Sequence, residues 1–542
     1  MTAPATPTAS ANPKTAKTAK AGAKTAAKAK TAADKPKAKR SRGENAQGPQ
    51  QQRRRHSQRK QRGAARAEAN RQVEAQVEAQ AQADAEAQMA VMPIINRHAG
   101  GVDIGERSHW VCIDADGEEA KCVREFPTHT DGLQAILAWL RENHVTTVAL
   151  ESTGVYWIPL CELLESAGIE VFLVSPGYTK QVKGRAKTDR LDCKWIQRLH
   201  TLGLLAASFR PEEKICVLRN YLRQRANLIR DGGEDIQHMQ KALEQMNLKL
   251  TEVLSDITGT TGLAILKAIL RGVHDPVKLA KLRDPHCKNT EATIAQALTG
   301  SYRDEHLFAL RQALARWEFH KKQLRELDEV IEKYLGTLKQ AKELPAVPPR
   351  SKVYKRGAND PRFDVRTALY YVSGVDLTAI EGISDVTALT ILSEIGLDMS
   401  PWPSVKHFTS WLGLCPQHKK TGGRVKSSRT RPGSNRAAQA LRLAANSLQR
   451  SQSALGAFTR RLKSRLGAGK AVTAAAHKLA RLVYGMLKYG TAYVKQTQEQ
   501  YETQQRDRQI RNLKKRARQL GLVVSEVEEA KAASTATAAG EQ

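Results

Sequence analysis

The stretch TTVALEST, residues 146–153, sets five apolar or β-branched residues directly before the carboxylate of Glu151. A short run of this kind is typical of a buried strand. Helices are predicted on both sides of it, near DGLQAILAWLREN (131–143) and YWIPLCELLESAG (156–168), and the strand IEVFLVSP (169–176) follows the second helix. Alternation of strands and helices predicts an α/β sheet with helices packed on its faces.

Three further strands are predicted upstream of this unit, at INRHAGGVDIG (95–105), HWVCIDADG (109–117) and EEAKCVREF (118–126). The tripeptide ADG, 115–117, is interpreted as the hairpin turn between the second and third of them. Downstream, the loop GYTKQVKGRAK (177–187) leads to a helix that opens at Thr188. The resulting order βββαβαβα, within about 115 residues, is that of an RNase H-like α/β domain.

Four carboxylates lie on the first strand, the fourth strand and the last helix of this predicted domain. Asp103 lies on the first strand, before the turn that begins at Gly105, and Glu151 ends the fourth strand, which neighbours the first in such a sheet. Asp189 and Asp192 are three positions apart and share one face of the last helix. The sequence therefore predicts that all four converge.

Four converging carboxylates repel each other, and a bound dication is the simplest resolution. Hard oxygen ligands select Mg²⁺ or Mn²⁺, and two such ions support phosphoryl transfer at a phosphodiester. Taken singly, each acid has a plainer interpretation. Asp189 can serve as a helix cap or a helix-dipole partner, and Asp103 can be a turn residue. The set, in the right elements and order, favours a metal site.

Net charge points to a polyanionic partner. The chain of 542 residues carries a formal charge of +32, of which residues 1–70 supply 15, from 18 Lys/Arg against 3 acids. The other 17 charges lie on the rest of the chain, so the folded part is basic in its own right. Nucleic acid is the favoured partner, and a merely soluble basic surface is the alternative.

The sequence predicts neither a membrane-spanning nor a secreted protein, because no apolar run approaches the roughly 20 residues that span a bilayer and no signal peptide opens the chain. The seven cysteines are scattered, without CxxC pairs or zinc-ligand spacing. They are interpreted as small buried residues of a protein in a reducing cytosol. We therefore expect a cytoplasmic protein, associated with the nucleoid of a prokaryote.

The domain organisation follows from changes in composition. We predict six segments: a disordered basic tail with a helical spacer (1–92), the catalytic α/β domain (93–204), a helical coiled-coil region (205–341), a Pro-rich basic linker (342–366), a mainly α-helical carboxyl-terminal domain (367–495), and a basic helix with a tail (496–542). The coiled-coil region is predicted from apolar residues at three and four spacing. Its expected role is assembly.

Two features of the carboxyl-terminal domain suit nucleic acid. Residues 376–396 predict two helices around a glycine turn, a helix-hairpin-helix-like motif whose backbone amides can meet a DNA phosphate. The matching positions are Ile380, Gly382, Ile383, Ala388 and Ile391. Plain helix packing is the alternative. A polar basic loop, HKKTGGRVKSSRTRPGSNR (418–436), follows.

At this point the sequence resembles the DEDD-type transposases of the insertion-sequence 110 family, relatives of the Piv DNA invertase. The resemblance rests at the amino end on GVDIGERSHWVC, VALESTGVYW and KTDRLDCKWIQRL. At the carboxyl end it rests on LTAIEGISDVTALTILSEIG, HFTSWLGLCPQHKKTGGRVKSSRTRPGSNRAAQALRLAA and AHKLARLVYGML. It covers roughly residues 93–495, with both ends in the family's order.

The resemblance implies a RuvC-like catalytic domain in which Asp103, Glu151, Asp189 and Asp192 are the metal ligands. It implies a coiled-coil middle that oligomerises, as a dimer or tetramer, and a carboxyl-terminal transposase domain. The implied partners are double-stranded DNA, as element ends and target, and an element-encoded bridge RNA that pairs with both.

The resemblance also implies a hydroxyl nucleophile in the basic loop, which forms a covalent protein-DNA intermediate. The family usually has Ser before the GG pair, whereas this chain has Thr421. Threonine keeps the hydroxyl but adds a methyl that restricts its rotamers, and Ser427 and Ser428 are nearby alternatives. Simple phosphate binding is the plainer role of the loop. Its candidate contacts are Lys419, Lys420, Arg424, Lys426, Arg429 and Arg431.

Three functions remain open from the sequence. The favoured one is a metal-dependent DNA transposase or recombinase. The closest alternative is a RuvC-like structure-specific nuclease in which water attacks and no covalent intermediate forms. A third is a basic DNA-binding protein without catalysis, whose acidic cluster is structural.

Overall fold

The computed structural model describes residues 92–176, 188–339, 345–347, 349–350, 356–490 and 498–524. The predicted tail and spacer up to residue 91, the loop at 177–187, part of the linker and the last residues of the chain lie outside the described residues. The chain divides into two compact units after Ala206.

The first unit contains a five-stranded mixed sheet. Its strands are β1 Ala99–Ile104, β2 Ser108–Cys112, β3 Val123–Pro127, β4 Thr147–Glu151 and β5 Glu170–Val174. In space the order is β3-β2-β1-β4-β5. The three strands of the meander, β1 to β3, pair antiparallel, while β4 runs parallel to both β1 and β5. A mixed sheet of this order is compatible with the predicted RNase H-like α/β class.

In the described residues, four helices accompany the sheet: α1 Glu119–Cys122, α2 Thr130–Glu142, α3 Ile158–Ser166 and α4 Asp189–Thr201. Because side chains alternate along β4, its residues show that α2 and α3 pack on one face of the sheet and α4 packs on the other. Val148 and Leu150 are fully buried in a core with residues of α2 and α3, whereas Ala149 is buried with Ile196 and Leu199 of α4. Both faces of β4 are thus covered, which explains why Val148, Ala149 and Leu150 are three apolar residues in succession.

The connection between β2 and β3 differs from the predicted hairpin turn at 115–117. Ten residues, 113–122, separate the two strands, and the last four of them form the single turn α1. Glu119, Ala120 and Lys121 have low strand propensity, whereas Val123 begins a β-branched and aromatic run. The third strand therefore begins at Val123 rather than at residue 118.

The second unit is helical apart from one small hairpin in the residues described. Two long helices, α5 Glu213–Gln245 and α10 Asp304–Thr337, pack along each other. Between them in the chain lie α6 Leu250–Val253, α7 Thr260–Leu270, α8 Pro276–Ala280 and α9 Glu291–Ala297, which share a core with both long helices. A buried ion pair, Arg225 Nε to Asp328 Oδ1 at 2.6 Å, joins α5 to α10.

The remainder of this unit comprises α11 Val365–Ser373, α12 Asp385–Ile395, α13 Val405–Trp411, β6 Lys419–Thr421, β7 Arg424–Ser427, α14 Arg436–Ser447, α15 Ala454–Leu466, α16 Ala468–Tyr489 and α17 Gln498–Gln519. Each of the helices from α11 to α16 contributes residues to one large apolar core. Tyr484 and Phe408 are the largest fully buried side chains in this core. Among the described residues, no helix is long and apolar enough to cross a membrane.

The predicted helix-hairpin-helix-like motif is only partly formed. Its first half is a single 3₁₀ turn, Leu377–Ala379, and its second half is α12. Gly382 has φ +90°, and a Cβ there would lie 2.9 Å from the Ala444 carbonyl oxygen of α14. The glycine turn is therefore packed against a helix, which favours the plainer interpretation that these segments build the core.

Candidate active site

Asp103 and Glu151 are neighbours at the carboxyl ends of two parallel strands. The register of β1 and β4 pairs Val102 with Leu150, so the next residue of each strand is one of these two acids. Residues at the carboxyl ends of adjacent parallel strands share one edge of a sheet. The backbone therefore brings the two carboxylates to the same edge.

Both acids also point to the same face of the sheet, the one that α4 covers. In β1 the residue two positions earlier is Gly101, where a Cβ would lie 2.2 Å from the backbone nitrogen of Gln197 on α4. In β4, Thr147 Oγ1 lies 2.9 Å from Nε2 of His200, also on α4. Because side chains alternate along a strand, Asp103 and Glu151 face the helix as these residues do.

The direction of α4 places its two aspartates at that edge. The carboxyl end of the helix lies at the amino end of β1, where the Thr201 carbonyl accepts from the backbone N–H groups of Ile95 and Asn96 at 2.9 and 3.0 Å. The helix therefore runs back along β1, and its amino-terminal end lies toward the carboxyl ends of β1 and β4. Asp189 and Asp192 both occupy this first turn.

A comparison of axial rises sets the depth of the two aspartates. Gln197 lies against Gly101. Two strand residues, from Gly101 to Asp103, advance about 6.6 Å, and five helix residues, from Gln197 back to Asp192, advance about 7.5 Å. Asp192 is therefore level with Asp103, and Asp189 lies about 4.5 Å further out.

The solvent exposure of the four acids agrees with these depths. Asp103, Glu151 and Asp192 are half-buried, whereas Asp189 is exposed. The Thr153 hydroxyl donates to Glu151 Oε1 at 3.5 Å, a long contact at the mouth of the strand. In the part of the chain that the structure describes, no three His, Cys, Asp or Glu side chains form a group that could hold a metal ion. The case for a shared site thus rests on the placement of the backbone.

The first turn of α4 is stabilised by a cap that the sequence anticipates. The Thr188 hydroxyl accepts from the Leu191 backbone N–H at 3.3 Å, the usual role of threonine at this position. Two acids in the first turn also suit the positive end of the helix dipole. Capping and metal binding are therefore compatible roles for the same turn.

Gln197 is a positioning residue that sequence reasoning missed. Its buried amide nitrogen donates to the carbonyls of Ala99 and Ile113 at 3.1 and 3.2 Å, and its oxygen accepts from the Ala115 N–H at 3.0 Å. It thereby ties α4 to β1 and to the β2 connection. The available signal was a glutamine between Ile196 and Leu199 on the apolar side of the helix.

Two other contacts at this edge were not predicted. The Arg190 guanidinium lies 5.7 Å from the centre of the Trp110 ring and pairs with Glu119 at 3.1 Å. Trp110 is the β2 partner of Asp103. Beneath them, a hydrogen bond with Cys193 and burial raise the pKa of the Cys112 thiol above its ordinary value. These two cysteines are thus buried packing residues, as the sequence indicates.

The predicted basic loop contains a β-hairpin, β6 and β7, in the second unit. Gly422 and Gly423 form its turn with φ +54° and +75°, values that glycine adopts without strain. Thr421 pairs directly with Arg424, and the stem continues to the bridge between Pro416 and Thr430. The predicted loop is therefore ordered into strands because a GG pair supplies the turn that a two-residue hairpin needs.

The candidate hydroxyls occupy different positions along this hairpin. Thr421 pairs with Arg424 next to the turn, whereas Ser427 pairs with Lys419 beyond a register shift, at which Lys420 pairs with Val425 and Lys426 is the extra residue. The Ser427 hydroxyl accepts from the Arg429 N–H at 3.3 Å. Thr421 and Ser428 are exposed, as are the predicted phosphate contacts, namely Lys419, Lys420, Arg424, Lys426, Arg429 and Arg431.

Comparisons with known proteins agree with this layout. A family model described as a transposase, of the DEDD IS110 type, matches residues 100–248, and a model described as transposase, IS116/IS110/IS902 family, matches residues 376–460. The chain is 28% identical over 106 residues to the pilin gene-inverting protein of Moraxella bovis. That alignment covers 18% of this chain and 32%, about a third, of the relative. With one match toward each end, the chain is similar to transposases of the IS110 family over residues 100–248 and 376–460.

Proposed function

We propose that this protein cuts and rejoins DNA as the transposase or recombinase of an insertion sequence. The observation that carries the proposal is the convergence of backbone positions at one sheet edge. Asp103 and Glu151 end neighbouring parallel strands on the face covered by α4, and the first turn of that helix carries Asp189 and Asp192. We assign the sheet unit to the RNase H-like, RuvC-like fold, which its strand order supports.

The donor set fits Mg²⁺ or Mn²⁺. All four side chains offer carboxylate oxygens, the ligands that these hard cations prefer, and no thiol or imidazole belongs to the set. Asp103, Glu151, Asp189 and Asp192 would hold the metal. When bound, it would supply charge stabilisation at a scissile phosphate. The half-buried acids Asp103, Glu151 and Asp192 would fix its position, and the exposed Asp189 would close the site from the solvent side.

The hairpin supplies the nucleophile in this proposal. The Thr421 oxygen attacks the phosphorus of a phosphodiester, one phosphorus-oxygen bond of the strand breaks, and the released strand end takes up a proton while the threonine loses one. A second transfer to another strand end restores the hydroxyl. Arg424 lies opposite Thr421, so its guanidinium can neutralise the phosphate under attack. Ser427 and Ser428 are the alternative nucleophiles.

The family resemblance further supports guidance by a bridge RNA and assembly into a dimer or tetramer. The long helices α5 and α10, of 33 and 34 residues, offer extended surfaces for such assembly. Double-stranded DNA, as element ends and target, is the proposed substrate. These finer parts of the proposal rest on the resemblance together with the basic charge of the chain.

The proposal is tested by trapping a covalent adduct on a labelled DNA duplex that carries the element end, in the presence of Mg²⁺. Glu151→Ala and Asp189→Ala are expected to lose strand cleavage by at least about a hundredfold, because an ion held by the remaining acids is misplaced. DNA binding should remain. Glu142→Ala, an exposed acid at the end of α2 in the same unit, is the matched control and should cleave normally.

The hydroxyl is tested in the same assay. Thr421→Ala should lose the denaturant-resistant adduct, and Thr421→Ser should keep it. An adduct that survives Thr421→Ala and disappears in Ser427→Ala or Ser428→Ala would move the nucleophile. Metal-dependent cleavage without any adduct would favour the RuvC-like nuclease in which water attacks, and binding without cleavage would favour the non-catalytic alternative.

A further inference from the structure

Helix α17 carries a row of cations that neither the hairpin nor the carboxylate site uses. Arg508, Arg511, Lys515 and Arg518 follow one another at intervals of three, four and three residues, and all four are exposed. Residues at this spacing lie along one side of a helix. They form what we call the α17 stripe, which lies beyond both family matches, since the second of these ends at residue 460.

The stripe faces away from the side of α17 that packs against the protein. Gln505, Arg506 and Gln509 line a cavity of about 300 Å³ together with Ala457 of α15, and Ala517 is buried. The Tyr501 ring also meets the Phe458 ring of α15, with 6.5 Å between centroids. Helix α17 is therefore held by contacts other than the stripe, which leaves its four cations available to a partner.

The chain before α17 contains a long run without carboxylates, and α17 itself carries Glu499, Glu502 and Asp507. From Met399 to Gln498, a run of 100 residues, there are 19 Lys or Arg and no Asp or Glu. Helix α15 in this run exposes Arg461, Lys463 and Arg465. On α17 itself, residues 506–518 hold seven cations and one acid, Asp507. The positive charge is thus concentrated at this end of the second unit's sequence.

Such a row is unfavourable for an isolated helix. Like charges three or four positions apart repel each other and destabilise a helix by about 0.2–0.5 kcal/mol per pair. A polyanion relieves this repulsion and gains from counterion release. The eleven residues from Arg508 to Arg518 span about 15 Å, a length over which duplex DNA presents about nine phosphates.

We propose that the α17 stripe is a second docking surface for duplex DNA, which it holds through the phosphate backbone, separately from the hairpin. The choice of DNA as the polyanion rests on the proposed function; the surface itself rests on the charge and exposure of the stripe. Backbone contacts of this kind position a protein on a duplex without reading its sequence.

The test compares the full-length protein with the variant Arg508→Gln/Arg511→Gln/Lys515→Gln/Arg518→Gln. Binding to a 30-base-pair duplex of mixed sequence is followed by fluorescence anisotropy between about 50 and 300 mM KCl. Loss of four phosphate contacts should reduce the slope of log affinity against log salt by about 3 to 4. At about 100 mM salt the affinity should fall by at least tenfold.

A matched control removes the same charges elsewhere in the unit. Arg271→Gln/Lys281→Gln/Arg311→Gln/Arg325→Gln also replaces three arginines and one lysine, all exposed, and should stay within about twofold of the parent. The variant Arg508→Lys/Arg511→Lys/Arg518→Lys keeps the charge and should retain the slope. Circular dichroism establishes that each variant keeps its helix content.

Equal losses in the stripe variant and the control would overturn the proposal, as would an unchanged salt slope. The same assay on duplex RNA of the same sequence distinguishes the two nucleic acids, and a loss confined to RNA would also overturn it. Failure of the catalytic proposal is visible separately, because the stripe variant keeps all four carboxylates and Thr421. At saturating protein it should form the covalent adduct at the parental rate.

Discussion

At the scale of single residues, Gly101 decides whether α4 can lie against β1. A Cβ at this position would lie 2.2 Å from the Gln197 nitrogen, 2.6 Å from its Cα and 2.7 Å from the Cys193 carbonyl oxygen. All three are backbone atoms of α4, so no side chain can move aside. The absence of a side chain on Gly101 is what lets the helix carrying Asp189 and Asp192 approach β1.

Gly101→Ala should therefore destabilise the sheet unit by about 3 kcal/mol, the upper end of the cost of overpacking. It should also reduce cleavage, because α4 is displaced from β1. The measurement is thermal or urea unfolding followed by circular dichroism. Gly233→Ala is the control, since this helical position in α5 has no atom within 4 Å of an added Cβ and alanine is the better helix former. Equal stability of the two variants would contradict the account.

At the scale of elements, the packing of α4 on the sheet depends on a neutral histidine. His200 is 1% exposed, and its Nε2 lies 2.9 Å from the Thr147 hydroxyl of β4. Burial lowers the pKa of His200 from its ordinary value of 6.5 to about 4. Burial also lowers the pKa of His109 on β2. Both imidazoles are therefore neutral in the folded protein.

The two buried histidines, His109 and His200, make the stability of the sheet unit sensitive to acid. Between pH 6.5 and 4 the unfolded chain binds a proton at His200 that the folded chain does not, so stability rises with pH in this window and is complete above it. The midpoint temperature should fall as the pH drops from 7.5 to 5. In His200→Gln this fall should be smaller, with His109 supplying part of what remains. An identical pH profile in the variant would remove His200 as the cause.

The hairpin determines which residues surround Thr421. Thr421 is exposed and would be unremarkable in an irregular loop, but the strand pairing places the basic residue Arg424 directly across from it. The Gly422-Gly423 turn holds this pair at the tip of the stem. A restrictive β-branched residue is also well suited to a strand, which makes threonine compatible with the position structurally.

At the scale of the whole molecule, positive charge is distributed over separate regions with different roles. Residues 1–70 carry 15 of the 32 excess charges, and the hairpin and the α17 stripe carry further clusters in the second unit. The carboxylate edge lies in the first unit, so the proposed attraction of DNA by these basic regions can be tested separately from the proposed chemistry.

Removal of residues 1–70 should lower the formal charge from +32 to +17. We expect weaker binding to DNA of unrelated sequence and a shallower salt dependence, because counterion release scales with the phosphates neutralised. Cleavage at saturating protein should persist, since none of the candidate site residues is removed. The measurement is anisotropy over a salt series, with cleavage measured in parallel. Loss of cleavage at saturation would show that the tail does more than attract DNA.

The sequence by itself determined the strand and helix order of the first unit, the position of its four acids and the cap at Thr188, because period, β-branching and capping are local properties. TTVALEST forms a strand that is buried on both faces, and Glu151 ends it. Local signals for the one-turn helix before β3 and for the hairpin around Thr421 are present, in the low strand propensity of residues 119–121 and in the Gly422-Gly423 pair, although we predict a turn and a loop there. The packed state of Gly382 depends instead on backbone groups that are distant in sequence.

Only the tertiary structure decided that Asp103 and Glu151 face α4 and that this helix runs back along β1. Strand register and helix direction are set by contacts distant in sequence, such as Thr201 with Ile95 and Gln197 with Ala99. The same holds for the α17 stripe, whose cations become a surface because other residues of that helix are held against α15. Sequence supplies the chemical groups, while packing decides which of them share a face.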